Sequence, residues 1–191
     1  MPLQMLDTGL PNVQLGLWTI REVMEEAYLD QLVLSPTEQG QLDSITHPDK
    51  RMEWLSSRLC LKQMLQRPDV EVLNTDEGKP YLSDHSHQIS FTHSYPHCAV
   101  IASDTHHVGV DIECFKYRSE YLLLAQKFMN PEELNFFFTT ANLLFFYITW
   151  SAKETLFKLN AQRGISFREN ISIDCRNWKQ KQNGTDRKSV V

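Results

Sequence analysis

No glycine-rich phosphate loop occurs in the 191 residues, nor GxSxG, nor a cysteine–histidine protease arrangement, so the commonest nucleotide-binding and hydrolase signatures are excluded. The four cysteines, Cys60, Cys98, Cys114 and Cys175, form no CxxC pair and are too sparse for a disulfide scaffold. Reduced thiols in a cytoplasmic protein are expected. The opening MPLQMLDTGLPNVQLG lacks a basic stretch followed by an apolar one, which argues against a signal peptide. The most apolar window, NFFFTTANLLFFYITW, is broken by Asn142 and three threonines and is too short to span a bilayer, so no membrane partner is expected. Positive charge is not in excess either. A formal net charge of −5 argues against a nucleic-acid partner.

What is present is a chain with 41% hydrophobic and 23% charged residues, long enough to bury a core. VQLGLWTI, 13–20, reads as a strand. Ser35 before Pro36 and Glu38 marks a helix start with a capping box, and Asn130 before Pro131 and Glu133 marks another. RMEWLSSRLCLKQML, 51–65, has helical spacing; EGKPYL is a turn entering a strand. QISFTHS and CAVIAS read as strands joined around YPH, and HHVGVDIE as one more. WSAKETLFKL, 150–159, is helical, ISFRENISID returns to β, and the FFF and LLFF clusters read as helix core.

The two halves repeat one another. LGLWTI (15–20) matches VGVDIE (108–113), SPTE matches NPEE, and the stretch from Trp54 to Lys62 matches that from Trp150 to Lys158, at offsets of 93, 95 and 96 residues in the same order. Three matches in order imply an internal duplication. The expected fold is α+β: an N-terminal half, 1–104, and a C-terminal half, 105–191, each a small, mostly antiparallel sheet packed with helices, related by a pseudo-two-fold axis.

Strand alternation puts Val108, Val110 and Ile112 on one face and Gly109, Asp111 and Glu113 on the other. Neighbouring carboxylates repel unless a cation or hydrogen bonds offset them. The first copy has Trp18 and Ile20 where the second has Asp111 and Glu113, and Arg58 where the second has Glu154, so the fold does not need these acids. Asp111, Glu113 and Glu154 are therefore read as a hard-cation site, since oxygen ligands that leave positions open suit Mg²⁺. The plainer reading is a solvated strand edge, with Glu154 paired to Lys158 four residues on. Lys153 and Lys158 could hold phosphate oxygens near a metal, and Arg51 and Arg58 could form a second grip. By themselves these cations read better as charged helix faces. Six of the seven histidines crowd into 85–107, but their spacing fits no zinc signature; His93, ending a strand, is the one placed to reach a ligand.

VGVDIE followed by WSAKETLFK resembles the signature pair of the 4′-phosphopantetheinyl transferase superfamily, a Gly-x-Asp-x-Glu strand and a Trp-Ser-x-Lys-Glu-x-x-x-Lys helix. EGKPYL and ISFTHS look like the family's other two blocks, in the expected order, and RMEWLSSR resembles the arginine-bearing helix of its longer, monomeric, pseudo-dimeric members. The resemblance implies coenzyme A as substrate, bound between the halves, with Mg²⁺ on Asp111, Glu113 and Glu154. It implies that a serine of an apo acyl or peptidyl carrier protein attacks the β-phosphorus and releases adenosine 3′,5′-bisphosphate. Lys158 would neutralise developing charge, and Glu154 or a metal-held water would take the serine proton. Lys79, Thr92 and His93 match positions that hold the 3′-phosphate and adenine, with Arg51 or Arg58 assisting. A monomer is implied, because the duplicated interface is satisfied within one chain.

Two departures from the pattern stand out. Ile112 replaces a third polar ligand found in some members, so a water would complete the coordination. The stretch CRNWKQKQNGTDRKSVV lacks strand alternation where the family continues in β, so the second sheet is expected to lack an edge or the C-terminus to be altered. A binding module for coenzyme A or carrier protein without turnover is the alternative this departure favours. A metal-dependent phosphodiesterase acting on coenzyme A alone is a more distant one.

Overall fold

Two antiparallel hairpins build the first unit. In the computed structural model, which describes residues 2–21, 24–115, 120–160, 164–176 and 178, strands β1 (Leu3–Leu6) and β2 (Val13–Thr19) form one hairpin and β5 (Gln88–Ser94) and β6 (His97–Ser103) the other. They join through β2 and β6 into a four-stranded sheet of order β1-β2-β6-β5, with Gly16 opposite Val100 and Phe91 opposite Val100 from the other side. The β5–β6 turn is Tyr95–Pro96, a cis peptide bond. β3 (Val72–Asn74) and β4 (Pro80–Leu82) make a separate small hairpin whose turn places Gly78 at φ +85°, a conformation that suits glycine.

Strand alternation gives the sheet two apolar faces. Trp18, Ile89, Cys98, Val100 and Ala102 point to one side and pack under the long helix α3 (Pro48–Leu65), whose Leu55, Leu59, Cys60 and Met64 complete the main core. The approach is close at Gly16, where a Cβ would lie 3.1 Å from Cys60 Sγ and from a Leu3 methyl. Leu15, Ala99 and Ile101 point to the other side and are covered by Val108 and Val110. The short helices α1 (Glu26–Leu29) and α2 (Pro36–Ser44) bring Tyr28 and Leu42 to the α3 core.

The chain divides into compact units Met1–Cys114 and Phe115–Val191, so the acidic segment belongs to the first and the expected division after residue 104 falls earlier in the chain. The described part of the second unit is helical: α4 (Tyr121–Phe128), α5 (Pro131–Thr140), α6 (Leu143–Asn160) and α7 (Phe167–Asn170). Its core is aromatic: Tyr121, Phe128 and Tyr147 meet Phe146 edge to face, Phe145 meets Trp178 in the same way, and Phe137 packs tilted on Phe146. The FFF and LLFF clusters thus supply core, apart from the exposed Phe138 and Leu143.

Two expectations need correction here. Among the described residues the second unit contains no strand, so a second small sheet is not found there. ISFRENISID does not return to β: Ser166 accepts a hydrogen bond from Glu169 N and caps α7, because Ser-x-x-Glu is itself a helix-start pattern. The C-terminal stretch named above lies outside the described residues beyond Trp178.

Both units nevertheless build the same buried knot. Glu38 and Glu133, each the third residue of a capped helix, accept from their N-cap backbones, Ser35 N at 3.2 Å and Asn130 N at 2.9 Å. A buried lysine of the following long helix meets the same Oε2, Lys62 at 3.1 Å and Lys153 at 2.6 Å. The other carboxylate oxygen accepts from an extended segment downstream, Val72 N or Ile173 N. Each lysine also donates to the carbonyl two residues before the cap, Val33 or Phe128.

Candidate functional site

The acidic segment is held by side chains. Residues 107–115 are extended but join no ladder, contrary to the strand expected there. Instead the backbone N–H groups of Val110, Ile112 and Cys114 donate to the hydroxyls of Ser90, Thr92 and Ser94 at 3.3, 3.3 and 3.0 Å. The constant offset of twenty residues means the segment runs parallel to β5. These three hydroxyls lie on the face opposite Ile89 and Phe91, so the segment crosses the sheet on the side away from α3. Val108 and Val110 anchor it in the smaller core, and Asp111 and Glu113, on the other alternation, are half-buried.

Thr92 makes a second bond, donating to Asp111 Oδ1 at 3.0 Å while its oxygen receives Ile112 N–H. A hydroxyl has one proton, and an ionised phosphate only accepts. In this arrangement that proton lies on Asp111 Oδ1.

On the opposite face of the sheet sits a cationic cluster. Arg58 is 6% exposed, its guanidinium 4.5 Å from the Trp54 ring centre and 4.8 Å from that of Phe91. Such stacking suits guanidinium. No carboxylate is hydrogen-bonded to it: Nη1 reaches Ser57 Oγ at 3.4 Å, and Nε has no hydrogen-bond partner among the described residues. Burial pulls its pKa down to about 10, against a smaller upward pull from Glu38. Phe91 and His93 lie two apart on β5 and share this face. His93 Nδ1 is 3.1 Å from Glu53 Oε2, which also accepts from Lys50 Nζ at 2.7 Å. A carboxylate acceptor fixes a ring proton on Nδ1.

The remaining expected residues lie on α3, on α6 and at the β3–β4 turn. Arg51 binds Glu25 through Nε and Nη2 at 2.6 and 2.9 Å and the Leu42 carbonyl through Nη1 at 2.6 Å, tying α1 and α2 to α3. The Glu25 hydrogen bond is the main reason its pKa is raised. Lys153 is fully buried, and its three ammonium hydrogens go to Glu133 Oε2, Phe128 O and Phe167 O. It holds the second core and has no hydrogen left for a phosphate, which corrects its expected role. Glu154 and Lys158 are half-buried on α6, one turn apart on one face. Lys79 closes the β3–β4 turn with its backbone, its carbonyl accepting from Thr75 N at 2.9 Å.

Among the described residues no three His, Cys, Asp or Glu side chains are grouped to hold a metal ion by themselves, the histidines of 85–107 included. Asp111 and Glu113 are hard oxygen donors on one alternation of one segment. That donor set fits Mg²⁺, which takes one or two carboxylates and fills its other positions with water and phosphate oxygens. No described helix is long and apolar enough to cross a membrane.

Sequence reasoning missed Glu53, Trp54, Ser90 and Ser94. The hydroxyl row was visible in SFTHS, with hydroxyls at alternate positions of a strand. Nothing local marks Glu53, because only the packing of α3 on β5 brings it to His93.

Comparison with known proteins adds the following. Residues 107–189 match the sequence profile of the 4′-phosphopantetheinyl transferase superfamily. The chain is 27% identical over 169 residues to a putative 4′-phosphopantetheinyl transferase of Synechocystis sp., spanning 82% of this chain and 68% of that protein. It is 27% identical over 147 residues to the 4′-phosphopantetheinyl transferase AcpT of Escherichia coli K12, covering 75% and 73% respectively. The AcpT of Salmonella typhi is 30% identical over 129 residues, 65% of each chain.

Proposed function

We propose that this chain, a member of the 4′-phosphopantetheinyl transferase superfamily by its match over residues 107–189 and by relatives spanning most of its length, moves 4′-phosphopantetheine from coenzyme A to a serine of an apo acyl or peptidyl carrier protein. The observation inside the molecule that carries this reading is Arg58. A guanidinium buried between two aromatic rings, with no carboxylate bonded to it, is a site prepared for an anion. Arg51 is engaged by Glu25, so Arg58 is the arginine assigned to the 3′-phosphate, and Lys79, Thr92 and His93 keep the role the resemblance gives them.

Asp111, Glu113 and Glu154 would hold Mg²⁺. When bound, it supplies positive charge to the pyrophosphate oxygens. In the reaction the serine oxygen forms a bond to the β-phosphorus, and the bridging P–O bond breaks with its electron pair on adenosine 3′,5′-bisphosphate. Lys158 neutralises that developing charge. The serine proton goes to Glu154 or to water. Within the chain, the repeated Glu–Lys knots support a duplicated, pseudo-two-fold architecture and a monomer.

The test is intact-mass spectrometry of an apo acyl carrier protein mixed with this protein, coenzyme A and Mg²⁺, with and without EDTA. A gain of one phosphopantetheine that EDTA and Asp111→Ala both abolish is the expected result. Breakdown of coenzyme A without carrier protein would replace this reading with a phosphodiesterase. No gain from folded protein across several carriers would remove it.

A further inference from the structure

Glu53 is a carboxylate that no role above uses. It lies on α3, and its side chain is only 7% exposed, turned in against β5. Burying a carboxylate is unfavourable unless it is paired and hydrogen-bonded. Two donors meet its Oε2, Lys50 Nζ at 2.7 Å and His93 Nδ1 at 3.1 Å, and their side chains are 57% and 42% exposed. Pairs that open to water in this way contribute little to stability, so tying α3 to β5 does not by itself offset the burial.

The pairing has a chemical consequence for the ring. An ionised carboxylate only accepts, so the proton between Glu53 and His93 belongs to Nδ1, and a ligand meets the ring at Nε2. A phosphate also only accepts. A phosphate at Nε2 therefore requires a second proton there, and the imidazolium so formed lies between two anions, the arrangement in which hydrogen bonds are strongest. His93 follows Phe91 by two residues on β5, and the Phe91 ring lies 4.8 Å from the Arg58 guanidinium, so ring and guanidinium share one face of the sheet. We propose, resting on the functional reading above, that Glu53 is a positioning residue for His93: it holds the Nδ1 proton and the orientation of the ring, so that Nε2–H is delivered to the 3′-phosphate of coenzyme A.

The experiment uses the full chain with Mg²⁺ present and compares coenzyme A with dephospho-coenzyme A, which lacks the 3′-phosphate, by calorimetry. Glu53→Gln keeps the shape and removes the charge, and His93→Gln removes the ring. Lys50→Met removes the other donor on the same oxygen, and thermal melting is recorded for all. Glu53→Gln should bind coenzyme A about tenfold more weakly, the low end for a lost hydrogen bond to a charged group, and dephospho-coenzyme A as wild type does. Added to His93→Gln, the same change should weaken coenzyme A no further, because residues that act as one unit are not additive. Lys50→Met should bind coenzyme A as wild type does. Nitrogen-15 spectra of the wild-type ring should show a proton on Nδ1.

Unchanged affinity for coenzyme A in Glu53→Gln, equal losses for the two ligands, or full additivity with His93→Gln overturns the proposal. So does the same loss in Lys50→Met, since Glu53 would then act through the lysine. If Glu53→Gln does not fold, the spectrum of the wild-type ring decides: a proton on Nδ1 upholds the role of Glu53, and a proton on Nε2 alone overturns it. A wild-type chain that binds no coenzyme A removes the functional reading and this inference together. Wild-type binding matched by Glu53→Gln removes only the inference.

Discussion

Arg58 carries a positive charge into a place where water cannot solvate it and no carboxylate is bonded to it, and such a charge is unfavourable until an anion arrives. Arg58→Met keeps the apolar contacts with Trp54 and Phe91 and removes the charge. It should weaken coenzyme A binding about tenfold or more, the range of a lost hydrogen bond to a charged group. It should weaken dephospho-coenzyme A, which lacks the 3′-phosphate, far less. Calorimetry with both ligands checks this, and equal losses would assign Arg58 elsewhere. Cys60 and Cys98 are governed by the same desolvation with the opposite protonation. Burial raises Cys60 to about 12 and Cys98 further. A thiol whose folded pKa lies above its unfolded value near ~8.5 favours the fold fully below that pH, and the contribution is lost as pH rises toward ~12. Native protein at pH 8 should therefore keep both thiols unlabelled by iodoacetamide, and they should label in urea; peptide mass spectrometry reads the difference. Urea stability should fall between pH 8.5 and 10, and a flat profile would show that neither thiol resists ionisation.

At the level of elements, the capped helices α2 and α5 were plain in the sequence because a capping box is a local device: Ser35 with Glu38 and Asn130 with Glu133 act over one turn. That both glutamates are also buried, each held by a lysine of the following helix, was not local and was not foreseen. The offset of the repeated tryptophans pairs Lys62 with Lys158, whereas the knots pair Lys62 with Lys153. The structure thus divides the two lysines of WSAKETLFK, one internal and one on the face with Glu154. Lys153→Met should destabilise the protein by about 3–5 kcal/mol, because Glu133 is left charged and uncompensated. Lys153→Met with Glu133→Gln should recover part of that loss in urea denaturation. A single variant as stable as wild type would mean that the knot contributes nothing. The acidic strand was misread as a strand for a related reason. Its alternation is genuine, but β5 offers hydroxyls where a ladder would offer carbonyls.

For the whole molecule, the formal charge of −5 gives no net attraction toward an acidic partner, so under the proposed function encounter with a carrier protein would depend on local surface. If the proposed monomer is right, the chain should sediment as a monomer over a hundredfold range of concentration. A dimer that persists on dilution would contradict the pseudo-dimer reading. The two compact units have different cores, one a mixed aliphatic sheet-and-helix core and one almost wholly aromatic and helical. That difference is why a repeat of pattern did not translate into a second sheet among the described residues.

The sequence by itself determined the helix starts, the hairpin strands, the apolar alternation of Val108 and Val110, and the choice of Asp111, Glu113, Glu154 and Lys158 as the residues of interest. The helix starts, strands and alternation rest on spacing within one element, where the period of the backbone translates directly into a face, and the choice of the four residues rests on the comparison of the two halves and on the resemblance. Only the tertiary structure decided that Lys153 is internal, that Arg51 is engaged by Glu25 while Arg58 has no carboxylate bonded to it, and that Thr92 donates a hydrogen bond to Asp111. A cation's role depends on which acceptor reaches its hydrogens, and that acceptor comes from a part of the chain that spacing does not see.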